Sequence, residues 1–189
     1  MEIIGIDKEK KYIRSFVGIA LPENLVNDFR GVLLDLQRLD KDLLVVDEKT
    51  PHVLISYLGN QTGDTLMKVA EKIDNLMSGL AGISLDIEGV GYFQNGNRKV
   101  IFLSVANGER LKSFADGVRS LLLPVTGDEK GFVPHLTIAR KRGMVGVTRE
   151  AEKRLALVRW RFEIDEVAIY GALSQNGEVR QEKLIRWKI

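Results

Sequence analysis

Residues 132–140 read Phe-Val-Pro-His-Leu-Thr-Ile-Ala-Arg (FVPHLTIAR), an apolar strand carrying one histidine, His135, and one hydroxyl, Thr137. Side chains alternate faces along a strand, so His135 and Thr137 point one way while Leu136 and Ile138 pack on the other. An imidazole and a hydroxyl about 7 Å apart along the strand can straddle one phosphate. Upstream, residues 51–59 repeat the pattern as PHVLISYLG, where His52 also follows a proline and shares its face with Leu54 and Ser56. These are the only two histidines of the chain.

Working outward, each histidine strand closes a unit of the same form. His52 lies 35 residues after Val17, and His135 lies 35 residues after Val100. In the first unit IRSFVGIAL (13–21) reads as a buried strand and Pro22 marks the helix start. Leu25, Phe29, Val32, Leu33 and Leu36 then follow at helical spacing. Leu43–Val46 is read as extended. In the second unit a strand over Val100–Val105 leads to a helix on Leu111, Phe114, Val118 and Leu121, with Asn107 as its expected cap. Equal spacing of equal elements predicts a duplicated unit whose copies face each other across a cleft.

The connecting segments complete the plan. A helix is expected from about Asp64 to Leu80. A half-buried strand follows on Ile83, Leu85 and Ile87, and Asn95-Gly96-Asn97 makes a turn. Thr148 caps a short helix, and Trp160–Tyr170 and Val179–Ile189 read as closing strands. The fold class is α+β.

Composition narrows the function classes. The 189 residues are 44% hydrophobic and 29% charged, enough for a sizeable core in one domain. A net charge of only +2 permits a phosphate-bearing partner but lacks the cationic excess of a strong DNA binder. Absence of cysteine removes disulfides, thiolate nucleophiles and cysteine zinc sites. No signal-peptide core or apolar run of bilayer length is present, so a cytoplasmic protein with no membrane contact is expected. No dense cluster of His, Asp and Glu suggests a metal, and no cofactor is expected.

Paired histidines suit proton transfer at a phosphodiester. One, neutral, takes a proton from water; the other, protonated, gives one to the departing oxygen, both with pKa values near working pH. Around them, Arg140 is taken as a phosphate ligand, the alternative being a strand-end charge in solvent. Phe132, Phe93 and Tyr57 offer aromatic surface, with Tyr57 assigned to the core. Lys141 and Arg142 are placed at the cleft mouth or in solvent. Arg14, Lys183, Arg186 and Lys188 are placed on a solvated strand face.

The segments FVPHLTIARKR, PHVLISYLG, RSFVGIALPENL and ISLDIEGVGYFQNGNRKVIFLSV, with Gly91-Tyr92-Phe93 as a G-x-F element, resemble the RNA 2′,3′-cyclic phosphodiesterases of the 2H phosphoesterase superfamily, once described as 2′-5′ RNA ligases. The resemblance implies a bilobal fold with two antiparallel sheets around a central cleft. It also implies metal-independent hydrolysis of a 2′,3′-cyclic phosphate at an RNA end to a 2′-phosphate, the RNA being for instance a tRNA fragment. His52 becomes the proton donor and His135 the acceptor, with Thr137, Arg140, Ser56 and Phe132 binding substrate. The expected protein is a monomer. The first motif departs from the family's H-x-[ST]-x, since Leu54 stands where a hydroxyl belongs; Ser56, on the same strand, is the candidate substitute. Two alternatives follow: an RNA-end binding protein with little turnover, and a hydrolase of small cyclic nucleotides.

Overall fold

The computed structural model describes residues 1–6, 12–126, 132–143, 146–175 and 178–189; the charged run that precedes Ile13 falls mostly outside them. Strands β1 (Glu2–Ile3) and β2 (Ile13–Ala20) lead into helix α1 (Glu23–Leu39), with Pro22 as its N-cap. Phe29, Val32, Leu33 and Leu36 form the buried stripe that the spacing predicts. After the two-residue strand β3 (Leu44–Val45), β4 (His52–Gln61) carries the first histidine. Thr62 caps α2 (Gly63–Asp74) by accepting the Thr65 N–H. The expected helix to Leu80 is interrupted: α2 stops at Asp74, and a 3₁₀ turn (Met77–Leu80) finishes the segment.

Next come β5 (Ser84–Asn95) and β6 (Arg98–Val105), joined at Gly96, whose φ of 57° suits a tight hairpin. Helix α3 (Glu109–Thr126) leads to β7 (His135–Arg142), the second histidine strand, so Phe132–Pro134 stand ahead of it. Asn107 does not cap α3. Its carboxamide accepts from the Asp86 N–H at 2.8 Å and donates to the Ser84 carbonyl at 2.9 Å, pinning the helix entrance to β5. Thr148 caps α4 (Arg149–Ala156) as expected.

The run Trp160–Tyr170 is two strands. β8 (Arg159–Glu163) pairs with β5, while β9 (Glu166–Gln175) lies between β2 and β10 (Glu178–Lys188). Apolar alternation continues through both, so periodicity gave no sign of the crossing at Ile164-Asp165.

All pairings are antiparallel, in the order β1-β10-β9-β2-β4-β7-β6-β5-β8, with β3 added beside β7. The two expected sheets are two wings of one hydrogen-bonded sheet. They meet where β4 faces β7, through the single pair Val53–Leu136. One bridge is too little to hold two wings together, and the helices do the rest. α3 follows β6 of one wing but packs on β4 of the other, while α1 follows β2 and packs against α4 and β3. The buried core runs continuously behind both wings and includes Val17, Ile19, Val53, Leu103 and Leu136. Among the described residues no helix is long and apolar enough to cross a membrane.

Candidate active site

Reading outward from the Val53–Leu136 bridge, the two wings place their histidines alike. His52 opens β4 and His135 opens β7, each one residue ahead of the bridge. Each strand then contains an extra residue three positions after its histidine. Phe102 pairs with Thr137 and Ile101 with Ala139, so Ile138 is bulged. Gly18 pairs with Leu54 and Val17 with Ser56, so Ile55 is bulged. A bulge inverts the alternation beyond it. The cleft face therefore carries His135, Thr137 and Arg140 on one wing, and His52, Leu54 and Tyr57 on the other.

The rings are held in the same way. His52 Nδ1 lies 2.7 Å from the Thr50 carbonyl, and His135 Nδ1 lies 2.7 Å from the Val133 carbonyl. A carbonyl only accepts, so Nδ1 bears the hydrogen in both and Nε2 is left to act. Beneath His52 the rings of Phe16 and Tyr170 lie 4.5 and 5.2 Å away, and these two stack on each other at 5.0 Å. Gly18 permits this approach, since a Cβ there would stand 3.3 Å from the Tyr170 ring and 3.4 Å from the His52 Cβ. His135 rests on Phe93 (4.9 Å, edge-on) and Phe102 (5.1 Å). Gly91 makes room for that pair, because a Cβ on it would collide with the Phe102 ring.

These aromatic beds withdraw the imidazoles from water and disfavour their charged forms. His52 is lowered to about 4, chiefly by this desolvation, with a further push from the charges of His135 and Arg140; the bond to Thr50 opposes it. Desolvation also lowers His135, against the bond to Val133.

Two cavities adjoin along the cleft. The inner one, about 290 Å³, is bordered by His52, Phe16, Asp47 and Gln181. The outer one, about 460 Å³, is bordered by His135, Phe93, Phe132, Arg98 and Arg119. Arg14, Leu54, Tyr57, Thr137 and Arg140 border both. Two hydroxyls and two guanidiniums on the common wall form a donor set suited to an anion between the two histidines.

The family model described as the 2′-5′ RNA ligase superfamily matches residues 21–175. The chain belongs to that superfamily. Among curated relatives, an RNA 2′,3′-cyclic phosphodiesterase of Thermotoga maritima is 27% identical over 68% of this chain and 70% of its own length. One of Methanocaldococcus jannaschii is 22% identical over 88% and 96%. The solved structure of Escherichia coli LigT in apo form superposes with a TM-score of 0.72, at 16% identity, covering 95% of this chain and 99% of that one; LigT has also been solved with 3′-AMP. The 2H phosphoesterase fold expected from the motifs is therefore the fold observed.

Strict alternation misplaced three residues, all beyond the bulges. Tyr57, expected in the core, is half exposed and borders both cavities. Ser56 was expected beside His52, but it pairs with the core residue Val17, so its side chain leaves the sheet on the opposite face from His52 and Leu54. It borders only the outer cavity. Lys141, expected at the cleft mouth, is buried; its Nζ reaches both carboxylate oxygens of Asp40 at 2.8 and 3.0 Å. Arg140 joins the site for the same reason: five residues from His135, it would face away without the Ile138 bulge. Arg14, expected on a solvated strand face, is exposed but borders both cavities. Lys183 and Arg186 pair with Glu166 and Glu2, away from the cleft. Arg142 is exposed, and Phe132 is half-buried on the outer wall.

Proposed function

We propose that the cleft hydrolyses 2′,3′-cyclic phosphates at RNA ends to 2′-phosphates, with His52 as proton donor and His135 as acceptor. The supporting observation is that two histidines of one tautomer flank a wall formed by Thr137, Arg140 and Arg14. The nearly equal frames of the two wings fit a single domain of two pseudo-symmetric lobes. The cyclic phosphate sits on that wall, its oxygens receiving the Thr137 hydroxyl and the Arg140 guanidinium. His135 Nε2 removes a proton from water as the water oxygen bonds to phosphorus. The bond from phosphorus to O3′ breaks in line, and His52 delivers its proton to O3′, leaving phosphate on O2′. Each histidine ends in the other's starting state, and proton exchange with solvent restores both.

His52, its pKa lowered by burial, has to be protonated to act. A bound phosphate raises that pKa, since an anion within a few ångströms favours the imidazolium, and the proton comes from solvent. The aromatic bed keeps the ring neutral until the anion arrives.

Leu54 motivates a second reading, an RNA-end binder with little turnover, because the first wing offers no hydroxyl at the place Thr137 fills in the second. A third reading, hydrolysis of small cyclic nucleotides, shares the same chemistry. Incubation with 2′,3′-cyclic AMP and with RNA bearing a 2′,3′-cyclic end, in EDTA, separates them by product analysis. The proposal expects 2′-phosphate from RNA. Tight binding without product would favour the binder, and turnover of the mononucleotide alone the small-molecule enzyme.

A further inference from the structure

The two wings correspond pair by pair. Each histidine strand makes one pair at the histidine and two more after it, passes the bulge, and then makes two further pairs. The last of these is Val100–Arg140 on the second wing and Phe16–Tyr57 on the first. Tyr57 therefore stands where Arg140 stands. It lies five residues after its histidine, on the cleft face, in the wall common to both cavities.

The same correspondence shows what the first wing lacks. Thr137 gives the second wing a hydroxyl, whereas Leu54 at the equivalent place donates nothing. Of the two side chains that β4 adds to the common wall, Leu54 and Tyr57, only the phenol is a hydrogen-bond donor. Tyr57 is half exposed, and among the described residues nothing holds its hydroxyl. Its ring is nonetheless fixed. It lies edge-on to the buried Phe16 at 6.4 Å, and Phe16 in turn lies 4.5 Å from the His52 ring. One aromatic side chain thus supports both the imidazole of His52 and the body of Tyr57, leaving the phenol hydroxyl as a positioned donor at the cleft.

We propose that the Tyr57 hydroxyl is the phosphate donor of the first wing, supplying from position 57 the hydrogen bond that Leu54 cannot give from position 54. The inference rests on the reading of the cleft as a cyclic phosphodiesterase. In that reading Thr137 and Arg140 hold the phosphate from one wing, and Tyr57 donates to a non-bridging oxygen from the other. The phenol gives a hydrogen bond and transfers no proton, that work being left to the two histidines. Charge builds on the non-bridging oxygens as water adds to phosphorus, so the bond strengthens in the transition state. Each such oxygen has more than one lone pair, so a second donor introduced at position 54 would add to Tyr57 and not compete with it.

Tyr57→Phe removes the hydroxyl and keeps the ring, which separates hydrogen bonding from stacking. Two measurements on the wild type and this variant test the proposal: kcat/KM with 2′,3′-cyclic AMP, and calorimetric titration with adenosine 2′-monophosphate and with adenosine. The variant is expected to lose ~10- to 100-fold in kcat/KM, the value of a hydrogen bond to a charged group. Its affinity for the 2′-phosphate should fall ~10-fold for the same reason, while adenosine binds both proteins alike. Equal kcat/KM and equal affinities in the two proteins would overturn the proposal and leave Tyr57 as a stacking ring. A loss of equal size for adenosine and for its 2′-phosphate would also overturn it, because the hydroxyl would then read the nucleoside. Wild-type turnover reports separately on the catalytic reading. Binding of adenosine 2′-monophosphate without turnover of the cyclic nucleotide sinks that reading, and a phosphate-specific loss of affinity in Tyr57→Phe still upholds the donor.

Discussion

Leu54→Thr is expected to raise activity. Leu54 pairs with Gly18 on the first wing as Thr137 pairs with Phe102 on the second, each two residues after its histidine and one before the bulge. A threonine at position 54 would present its hydroxyl across the common wall toward the phosphate proposed to sit on Thr137. A hydrogen bond to a charged group contributes about 1.5–3 kcal/mol, so kcat/KM for a 2′,3′-cyclic nucleotide should rise ~10- to 100-fold. The cost falls on stability. Leu54 packs on the cluster of Phe16, Ala168 and Tyr170, and trading that contact for a part-buried hydroxyl should lower the melting temperature slightly. Ser56 is the control, because its pairing with Val17 turns it to the opposite face of the sheet; Ser56→Ala should leave kcat/KM within about twofold. Steady-state kinetics of both variants on one cyclic nucleotide decide the matter. A neutral Leu54→Thr together with a crippled Ser56→Ala would refute the reasoning, since Ser56 would then be the working donor.

Two further outcomes are expected. Lys141→Ala strands the Asp40 carboxylate in a buried site with, among the described residues, only the Thr148 and Asp42 N–H groups as partners; losing one member of a buried pair typically costs ~3–5 kcal/mol. Denaturant unfolding should show that loss, and an unchanged midpoint would contradict the burial described. The pH profiles should also separate. With His52 near 4 and His135 also lowered in the free protein, kcat/KM is expected to peak on the acid side of 6.5 and fall as pH rises. The kcat profile, governed by the phosphate-bound form, should lie at higher pH. Coincident profiles would mean that the bound anion does not recharge His52.

Much of this was legible in the residues. Hydrophobic spacing gave α1, α3 and the start of α2 because their buried stripes obey the helical period. The equal 35-residue frames of His52 and His135 anticipated two wings facing one cleft. What the pattern could not carry was any local break in its own period. The bulges at Ile55 and Ile138 each add one residue, β4 adds another at Leu58, and neither isoleucine differs from its neighbours in a way that marks it. Residues just beyond them were therefore read with inverted parity: Ser56 and Tyr57 on one strand, Lys141 on the other, while Arg140 was placed at the phosphate by the resemblance and not by alternation. A signal did exist. Tyr57 and Arg140 both lie five residues after a histidine, and a repeated polar position at odd spacing is what a repeated bulge produces. The Asp40–Lys141 pair joins residues 101 positions apart, and no local pattern predicts such a partner. The crossing of Trp160–Tyr170 between wings was hidden because both halves are buried strands.

The central claim is that His52 and His135 are the two proton-transfer groups of one reaction. It is tested most directly by single-turnover hydrolysis of an RNA 2′,3′-cyclic phosphate in EDTA by the wild type, His52→Ala and His135→Ala, with circular dichroism confirming each fold. The account predicts a 2′-phosphate product and a loss of ~10²–10⁴-fold in the chemical step for each variant. Either alanine variant turning over at the wild-type rate would contradict it.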